Sequence, residues 1–171
     1  KDMEVSYDGL KILFSMRAPE IEDADDDEQP TWNIWAYNHS SQTLRRIIVS
    51  DILAEVGQDT APVYLPDGRI VFSSTRQSGN QAILLDEGKP QYQGLEEDLD
   101  VPASVLHVMD DDGGNIQQIS FNQSHDLDPT ILSDGRILFS RWDQVANNNS
   151  INLYQMNADG SGLEIVYGRH S

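Results

Sequence analysis

The chain has 171 residues and a mass of 19.2 kDa, and its 11 lysine and arginine residues against 29 aspartate and glutamate residues give a net charge of −18. This length suits one domain or a piece of a larger one, and the acidity excludes a nucleic-acid-binding surface, which needs clustered basic residues. No apolar run approaches the roughly 20 residues that span a bilayer, and the absence of cysteine excludes disulfides, thiolate zinc sites and covalently attached c-type haem.

One sequence pattern occurs three times along the chain: an Asp-Gly turn, a basic residue and a short apolar run that ends in serine. The copies span residues 8–15, 67–73 and 134–140. An Asp-Gly dipeptide between apolar segments predicts a hairpin, because glycine adopts a positive φ without steric cost. The branched apolar run after it predicts a strand that is buried on both faces.

Each copy is accompanied by three further candidate strands, one before the Asp-Gly turn and two after the apolar run. In chain order they are residues 3–6, 33–38 and 44–48, then 62–65, 105–110 and 116–119, then 129–132, 152–157 and 163–166. Each unit thus contains four short strands joined by hairpins. The third unit needs only about 41 residues, which is typical of a β-propeller blade.

These units predict an all-β fold, namely a β-propeller of three four-stranded antiparallel blades that form a partial ring. The blades cover residues 1–51, 59–120 and 126–168. Helical patterns are absent except for a weak one at residues 52–56, which predicts one helical turn. This absence disfavours helical solenoids and α/β folds. Propellers close with about four to eight blades, so three blades leave two apolar faces uncovered. We therefore expect a fragment of a larger propeller, or a half-ring that pairs with a second copy.

Insertions lengthen the first two units between their second and third strands. They cover residues 18–30 and 77–102, whereas the third unit has only residues 143–150 at this position. Insertions at one repeat position project from one face of an array, so much of the negative charge gathers on one rim. The acidic residues of the two insertions are Glu20, Glu22, Asp23, Asp25, Asp26, Asp27 and Glu28, and Asp86, Glu87, Glu96, Glu97, Asp98 and Asp100.

The third unit resembles a known repeat. Its residues 128–140, followed by residues 153–162, are similar to the TolB-like, WD-type propeller repeat of bacterial envelope proteins. A more specific resemblance is to proteins related to the hydrazine synthase alpha subunit, which contains a propeller beside haem-bearing regions. The segments that carry it are residues 30–35, 85–90 and 120–129. No catalytic residue of that family maps onto this chain, and its haem chemistry is not carried over because there is no Cys-x-x-Cys-His motif.

The resemblance implies a periplasmic or secreted propeller module within a larger polypeptide. Its partners would be the remaining blades of the same protein or a second copy, together with other envelope proteins, but neither nucleic acid nor a membrane span. We expect a module for protein–protein interaction or scaffolding, without catalytic activity in this segment. The alternatives are the non-catalytic propeller portion of a multi-domain enzyme and a carbohydrate- or metal-binding propeller.

The tightest group of ionisable residues consists of His125, Asp126 and Asp128. A histidine with two nearby carboxylates could hold a divalent metal or act as a general base. Asp128, however, occupies a repeat position that Asp2 echoes, which favours a structural role in a turn. The first acidic insertion could bind calcium, but it lacks the EF-hand spacing, so we expect a solvated loop and no resident cofactor.

Aromatic residues are the remaining candidates. Trp32, Trp35 and Trp142 could line a ligand or sugar surface, and packing between blades is the alternative for all three. Trp142, beside the short third insertion, is the best candidate for an exposed ligand-binding ring. His107 stands where the other copies have Trp35 and Tyr154, which predicts a packing residue of aromatic size. No hydrolase elbow, phosphate loop, dinucleotide fingerprint or zincin motif occurs.

Overall fold

The computed structural model describes residues 1–25, 28–90, 93–95, 101–145 and 148–168. Within these ranges the strands form three four-stranded antiparallel sheets, and in each sheet the strands pair in chain order. The predicted fold, a partial β-propeller of three blades, is therefore confirmed. Several acidic residues of the predicted insertions lie outside the described residues, namely Asp26, Asp27, Glu96, Glu97, Asp98 and Asp100.

Blade one consists of four strands followed by one helical turn. The strands are β1 (Glu4–Val5), β2 (Lys11–Met16), β3 (Asn33–Asn38) and β4 (Thr43–Arg46), and the helix is α1 (Asp51–Ala54). The Asp-Gly turn between β1 and β2 closes as the sequence predicts. Gly9 has a φ of 72°, and its N–H donates a hydrogen bond to the carbonyl oxygen of Ser6 at 2.8 Å.

Blade two has the same four-stranded meander with a helix in its insertion. It contains β5 (Asp59–Tyr64), β6 (Ile70–Ser74), α2 (Ser78–Asp86), β7 (Val105–Met109) and β8 (Gln117–Gln118). The sequence does not predict α2, because the apolar residues Ile83, Leu84 and Leu85 stand side by side and do not repeat at the helical period. Tertiary contact holds the helix instead, since the Asn80 N–H donates to Gln118 Oε1 at 3.0 Å. Neither helix of the described chain is long and apolar enough to cross a bilayer.

Blade three contains the longest strands. It consists of β9 (Asp126–Ile131), β10 (Ile137–Val145), β11 (Asn148–Met156) and β12 (Glu164–Tyr167). The expected short insertion at residues 143–150 is largely a continuation of the hairpin, because Asp143 pairs with Ser150 and the register continues to Val145 and Asn148. Blade three therefore carries an extended ladder at the position where the other blades carry insertions.

Neighbouring blades pack face to face through equivalent residues. At the first junction, Ile70 and Phe72 of blade two pack against Leu13 and Ile34 of blade one. The second junction joins Ile137, Phe139, Tyr154 and Met156 of blade three to Val71, Leu106 and Val108 of blade two. Each blade thus places its Ile–Phe face on the preceding blade, and the core consists of two such junctions.

A glycine in the turn between the third and fourth strands lets each blade approach its predecessor closely. Gly113 has a φ of +85°, and a Cβ atom added to it would lie 2.3 Å from the carbonyl oxygen of Ile47. Gly160 has a φ of +83°, and a Cβ atom added to it would lie 2.4 Å from the carbonyl oxygen of Ile119. The turns therefore have a role beyond chain reversal, because they form part of the junctions.

His107 is buried in β7, as expected of a packing residue. Its ring centroid lies 5.6 Å from that of Phe72, and its Nδ1 lies 3.0 Å from the carbonyl oxygen of Val105. Its Nε2 has no hydrogen-bond partner among the described residues. Burial lowers the pKa of His107 to about 4. The ring is therefore neutral at pH 7, with the proton on Nδ1 donated to Val105.

This buried neutral histidine predicts a pH-dependent stability. The unfolded chain has the ordinary histidine pKa of 6.5 and binds a proton before the folded chain does as the pH falls. We expect the free energy of unfolding to decrease by about 2 kcal/mol between about pH 7.5 and about pH 5 through His107. Chemical denaturation of wild type and His107→Leu isolates this contribution, because the carboxylates titrate in both proteins. Equal pH slopes in the two proteins would contradict it.

Candidate functional site

Asp126 lies at the start of β9 and is fully buried. Arg141 of β10 binds it at two points, with Nε donating to Oδ1 and Nη2 donating to Oδ2, both at 2.8 Å. Asn122 Nδ2 adds a third hydrogen bond to Oδ1 at 3.2 Å. Both carboxylate oxygens are thus occupied by donors of the protein itself, an arrangement typical of a structural ion pair.

Blade two contains the corresponding ion pair. Asp59, at the position equivalent to Asp126, is buried, and its Oδ1 accepts hydrogen bonds from Ser74 Oγ at 2.6 Å and Arg76 Nε at 3.1 Å. Arg76 Nη1 also donates to the carbonyl oxygen of Leu53 in blade one, at 3.0 Å. Because a buried Asp–Arg pair recurs at the same strand position, the pair in blade three belongs to the framework of the blades.

His125 and Trp142 are brought together by the structure. The His125 Nδ1 accepts a hydrogen bond from the Ser104 N–H at 3.0 Å, and its carbonyl oxygen accepts one from the Trp142 N–H at 2.8 Å. The two rings lie 5.9 Å apart between centroids, and Trp142 Nε1 donates to Asn149 Oδ1. His125 therefore links the segment before β7 to blade three.

Asp128 lies apart from this contact, where the first strands of the three blades meet around a small cavity. Its side chain is exposed and its φ is 51°, and Asp2 and Ala61 have φ values of 56° and 50° at the equivalent positions. All three line a cavity of about 150 Å³ between the inner strands. In the part of the chain that the structure describes, no group of three or more histidine, aspartate or glutamate side chains is placed to hold a metal ion.

The two insertions emerge at the same edge of their sheets, and a glutamine closes the base of each. Gln29 Oε1 accepts from the Ile21 N–H at 2.9 Å, and its Nε2 donates to the carbonyl oxygen of Ala24 at 3.0 Å. Gln77 Nε2 donates to the carbonyl oxygen of Gly94 at 2.9 Å. The described acidic residues of the first insertion are all exposed, and they are Glu20, Glu22, Asp23, Asp25 and Glu28.

A cavity of about 770 Å³ lies beneath the first insertion, and we call it the blade-one cavity. It opens on the face of blade one that does not pack on blade two, because Ile34 and Ala36 of β3 point to the junction and Asn33 and Trp35 point away from it. Its volume is in the range of small-molecule sites. Its lining includes Met16, Pro19, Glu28, Asn33, Trp35 and Glu55.

Asn33 is the unusual residue of the blade-one cavity. It is only 8% exposed, and its Nδ2 donates to the carbonyl and hydroxyl oxygens of Thr31 at 3.1 and 3.0 Å. Its Oδ1 accepts no hydrogen bond from the described residues. A buried acceptor without a donor costs about 1–3 kcal/mol, so a donor that reached this oxygen would recover that cost. The sequence gives no distinctive signal for it, because the equivalent residue is Val105 in blade two but Asn152 in blade three.

The three tryptophans are half-buried and lie in different surroundings. Trp35 lines the blade-one cavity, and Trp142 contacts His125. Trp32 lies under two cations, with its ring centroid 4.5 Å from Lys1 Nζ and 5.1 Å from the Arg17 guanidinium. Trp35 is therefore the tryptophan with a cavity in front of it.

Solved structures share this fold. A TolB-like protein from Agrobacterium tumefaciens matches with a TM-score of 0.62 and 17% identity over 95% of this chain and 47% of that one. Hydrazine synthase from Kuenenia stuttgartiensis matches with a TM-score of 0.68 and 19% identity over 97% of this chain and 25% of that one. An oligogalacturonate lyase in complex with manganese matches with a TM-score of 0.55 and 11% identity over 95% and 40%. No protein-family model matches the chain, and no curated protein matches its sequence.

These neighbours confirm the resemblance to TolB-like propellers and to hydrazine synthase at the level of the fold. The chain spans 47%, 25% and 40% of the three neighbours, which is less than half of each. Identities of this size show the shared propeller architecture alone. The function has to be sought in the residues of this chain.

Proposed function

We propose that this chain is an extracytoplasmic propeller module that binds a partner protein through the rim that carries its two insertions. The supporting observation is the rim itself, where exposed acidic loops are closed by Gln29 and Gln77 on a rigid array of sheets. Loops held by a rigid scaffold are the usual carriers of binding function, because little conformational entropy is lost on association.

The charge of the rim suggests the character of the partner. Within the described part of the first insertion, five acidic residues are exposed, and the whole chain has a net charge of −18. A surface of one sign attracts partners of the opposite sign and raises the association rate. The partner would therefore present a basic surface, and binding would weaken as salt increases.

The extracytoplasmic location is supported by the resemblance to envelope propellers and by the shared fold with a TolB-like protein. The chain contains no cysteine, so an oxidising compartment would create no disulfides within it.

A second candidate function is the propeller portion of a larger enzyme. It is favoured by the match to hydrazine synthase, of which this chain covers only 25%. In that case the rim would position other domains of the same polypeptide. Sequencing the complete gene separates the two candidates, since cofactor motifs or a catalytic domain beyond these residues would support the enzyme.

The protein-binding proposal predicts that partner capture depends on the rim charges. We expect that replacing Glu20 and Glu22 by glutamine and Asp23 and Asp25 by asparagine reduces retention of the partner at least about 5-fold, because the attraction is lost while the loop shape is kept. Immobilised wild type and variant are exposed to the envelope fraction of the source cells, and bound proteins are quantified by mass spectrometry.

The matched control removes the same charge from the opposite edge of the sheets, where the turns lie, through Asp→Asn changes at Asp8, Asp67, Asp112 and Asp159. A protein whose capture falls with the rim variant alone supports the proposal. If every captured protein responds equally to both variants, the rim is not a binding surface. A rim-dependent partner found only in the cytoplasmic fraction would refute the proposed location.

A further inference from the structure

Blades two and three each bury a guanidinium group on their packing face, from Arg76 and Arg141, although the register equivalent of Arg141 in blade two is Ser74. In blade three, Arg141 lies over two aromatic rings, with its guanidinium carbon 5.6 Å from the centroid of Phe139 and 5.2 Å from that of Tyr154. Its partner in the strand register is Asn152. In blade two, Arg76 is buried close enough to His107 for its charge to contribute to the lowered pKa of that ring.

Blade one has no guanidinium at the register position of Arg141. The register pairs Met16 with Asn33 and Phe14 with Trp35, so Met16 stands where blade three has Arg141. The aromatic pair and the asparagine are kept, but the side chain that would lie over the rings is an uncharged methionine. The blade-one cavity lies at this place, beside Met16, Asn33 and Trp35.

The arginines that border the cavity are engaged elsewhere. Arg17 has its guanidinium over the Trp32 ring and pairs with Glu20. Arg46 Nε donates to the carbonyl oxygen of Ile48 at 2.8 Å, and its Nη2 pairs with Asp51. Neither donates a hydrogen bond to the Asn33 Oδ1, which has no partner among the described residues.

The groups left to a ligand are acceptors and an aromatic ring. The lining includes Glu28, Glu55 and Trp35, together with Asn33, whose buried Oδ1 has no donor among the described residues. A guanidinium suits this set, because it carries five N–H donors, binds carboxylates at two points and stacks on aromatic faces. Because Arg17 and Arg46 already pair with Glu20 and Asp51, the charges of the exposed Glu28 and Glu55 favour a cationic ligand over a neutral or anionic one.

From this internal comparison we infer that the blade-one cavity binds the guanidinium group of an arginine side chain supplied by a partner protein. The partner's arginine would lie over Trp35 and near Asn33, as Arg141 lies over its rings in blade three, with Glu28 and Glu55 in place of Asp126 as its carboxylates. This inference rests on the proposed protein-binding function and names the side chain that the partner inserts. Binding would combine this anchor with the charge of the rim above it.

The test uses N-acetyl-arginine methylamide as the probe, with the isosteric but uncharged N-acetyl-citrulline methylamide as its comparison. Binding to the full chain is followed by NMR through the indole N–H of Trp35 and the side-chain amide of Asn33. We expect a saturable shift of both signals with the arginine probe, and at least about 10-fold weaker binding of the citrulline probe, because charge-assisted hydrogen bonds are lost.

Two variants test whether the probe binds in the blade-one cavity. Glu55→Gln is expected to weaken binding about 3- to 10-fold, while Glu87→Gln in the second insertion, which changes the net charge equally, leaves it unchanged. Met16→Arg gives blade one the guanidinium that blade three already has. It is expected to abolish binding of the probe while blade one stays folded, which unchanged NMR signals of Leu13 and Ile34 at the first junction would show.

Equal affinity for the two probes, or unchanged binding in Met16→Arg, would overturn the inference. Equal weakening by Glu55→Gln and Glu87→Gln would also overturn it, since it would show attraction by net charge alone. These outcomes differ from failure of the proposed function. If the probe does not bind but partner capture still depends on the rim charges, only the cavity inference is wrong. If the probe binds and no rim-dependent partner exists, the cavity is a guanidinium site, but the protein-binding proposal and the partner's part in this inference are wrong.

Discussion

Replacing Gly113 with alanine is expected to destabilise the protein by about 4 kcal/mol. About 1 kcal/mol comes from forcing a residue with a Cβ atom into a φ of +85°, and about 3 kcal/mol from its contact with blade one. The contact is severe because the new Cβ atom would lie 2.3 Å from the backbone carbonyl oxygen of Ile47, which no rotamer change can relieve. The measurement is urea denaturation followed by tryptophan fluorescence.

Gly68 provides the matched control for the backbone effect. It has a φ of +90°, and a Cβ atom added to it would meet nothing within 4 Å. Gly68→Ala should therefore cost only the conformational part, about 1 kcal/mol. If the two variants lose equal stability, the close approach of blade two to blade one does not contribute. If Gly113→Ala does not fold, Gly160→Ala tests the same contact at the second junction, where the Cβ atom would lie 2.4 Å from the Ile119 oxygen.

Removing the charge of Asp126 is expected to cost about 3–5 kcal/mol of unfolding free energy, because Arg141 would be left buried without its carboxylate. Asp126→Asn keeps the shape of the side chain, so the loss reports the charge and its two hydrogen bonds at 2.8 Å. Asp134→Asn is the matched control, since Asp134 pairs with Arg136 on the surface and its loss should leave the stability almost unchanged.

The same variant separates the structural role of Asp126 from the alternative of a metal ligand. Calorimetric titration with calcium, manganese and zinc is carried out on wild type and on Asp126→Asn. If a metal binds wild type and no longer binds the folded variant, Asp126 is a ligand and the ion-pair account is insufficient. A stability loss without any change in metal binding supports the framework role.

The fold could be predicted from the sequence because its information is local and repeated. The Asp-Gly turns and the apolar runs after them specify hairpins, and three copies of this unit specify an array of blades. The helix α2 could not be predicted in this way, because it depends on a contact with Gln118 rather than on an amphipathic pattern of its own. The continued hairpin of β10 and β11 also goes beyond what a polar, asparagine-rich segment indicates.

The candidate site was less accessible to sequence reasoning. His125, Asp126 and Asp128 are close along the chain, yet their side chains do not converge, since Asp126 is buried against Arg141 and Asp128 is exposed. The buried partner of Asp126 is Arg141, on another strand. The blade-one cavity depends on strand register, which aligns Met16 with Arg141 and leaves the Asn33 oxygen without a donor. A single sequence does not show which residues face each other on neighbouring strands, so this cavity could not be predicted from it.

The face-to-face junctions have a consequence for how the protein opens. Because each blade packs its Ile–Phe face on its predecessor, blade two is held from both sides, whereas blades one and three each share a single junction. Cooperativity in such an array passes only between adjacent units, so within residues 1–168 the strands of blade two, which both junctions stabilise, are expected to unfold last. Among these residues, the backbone amides of β6 and β7 in blade two are expected to exchange most slowly. Residual structure in a partly denatured chain would centre on these two strands.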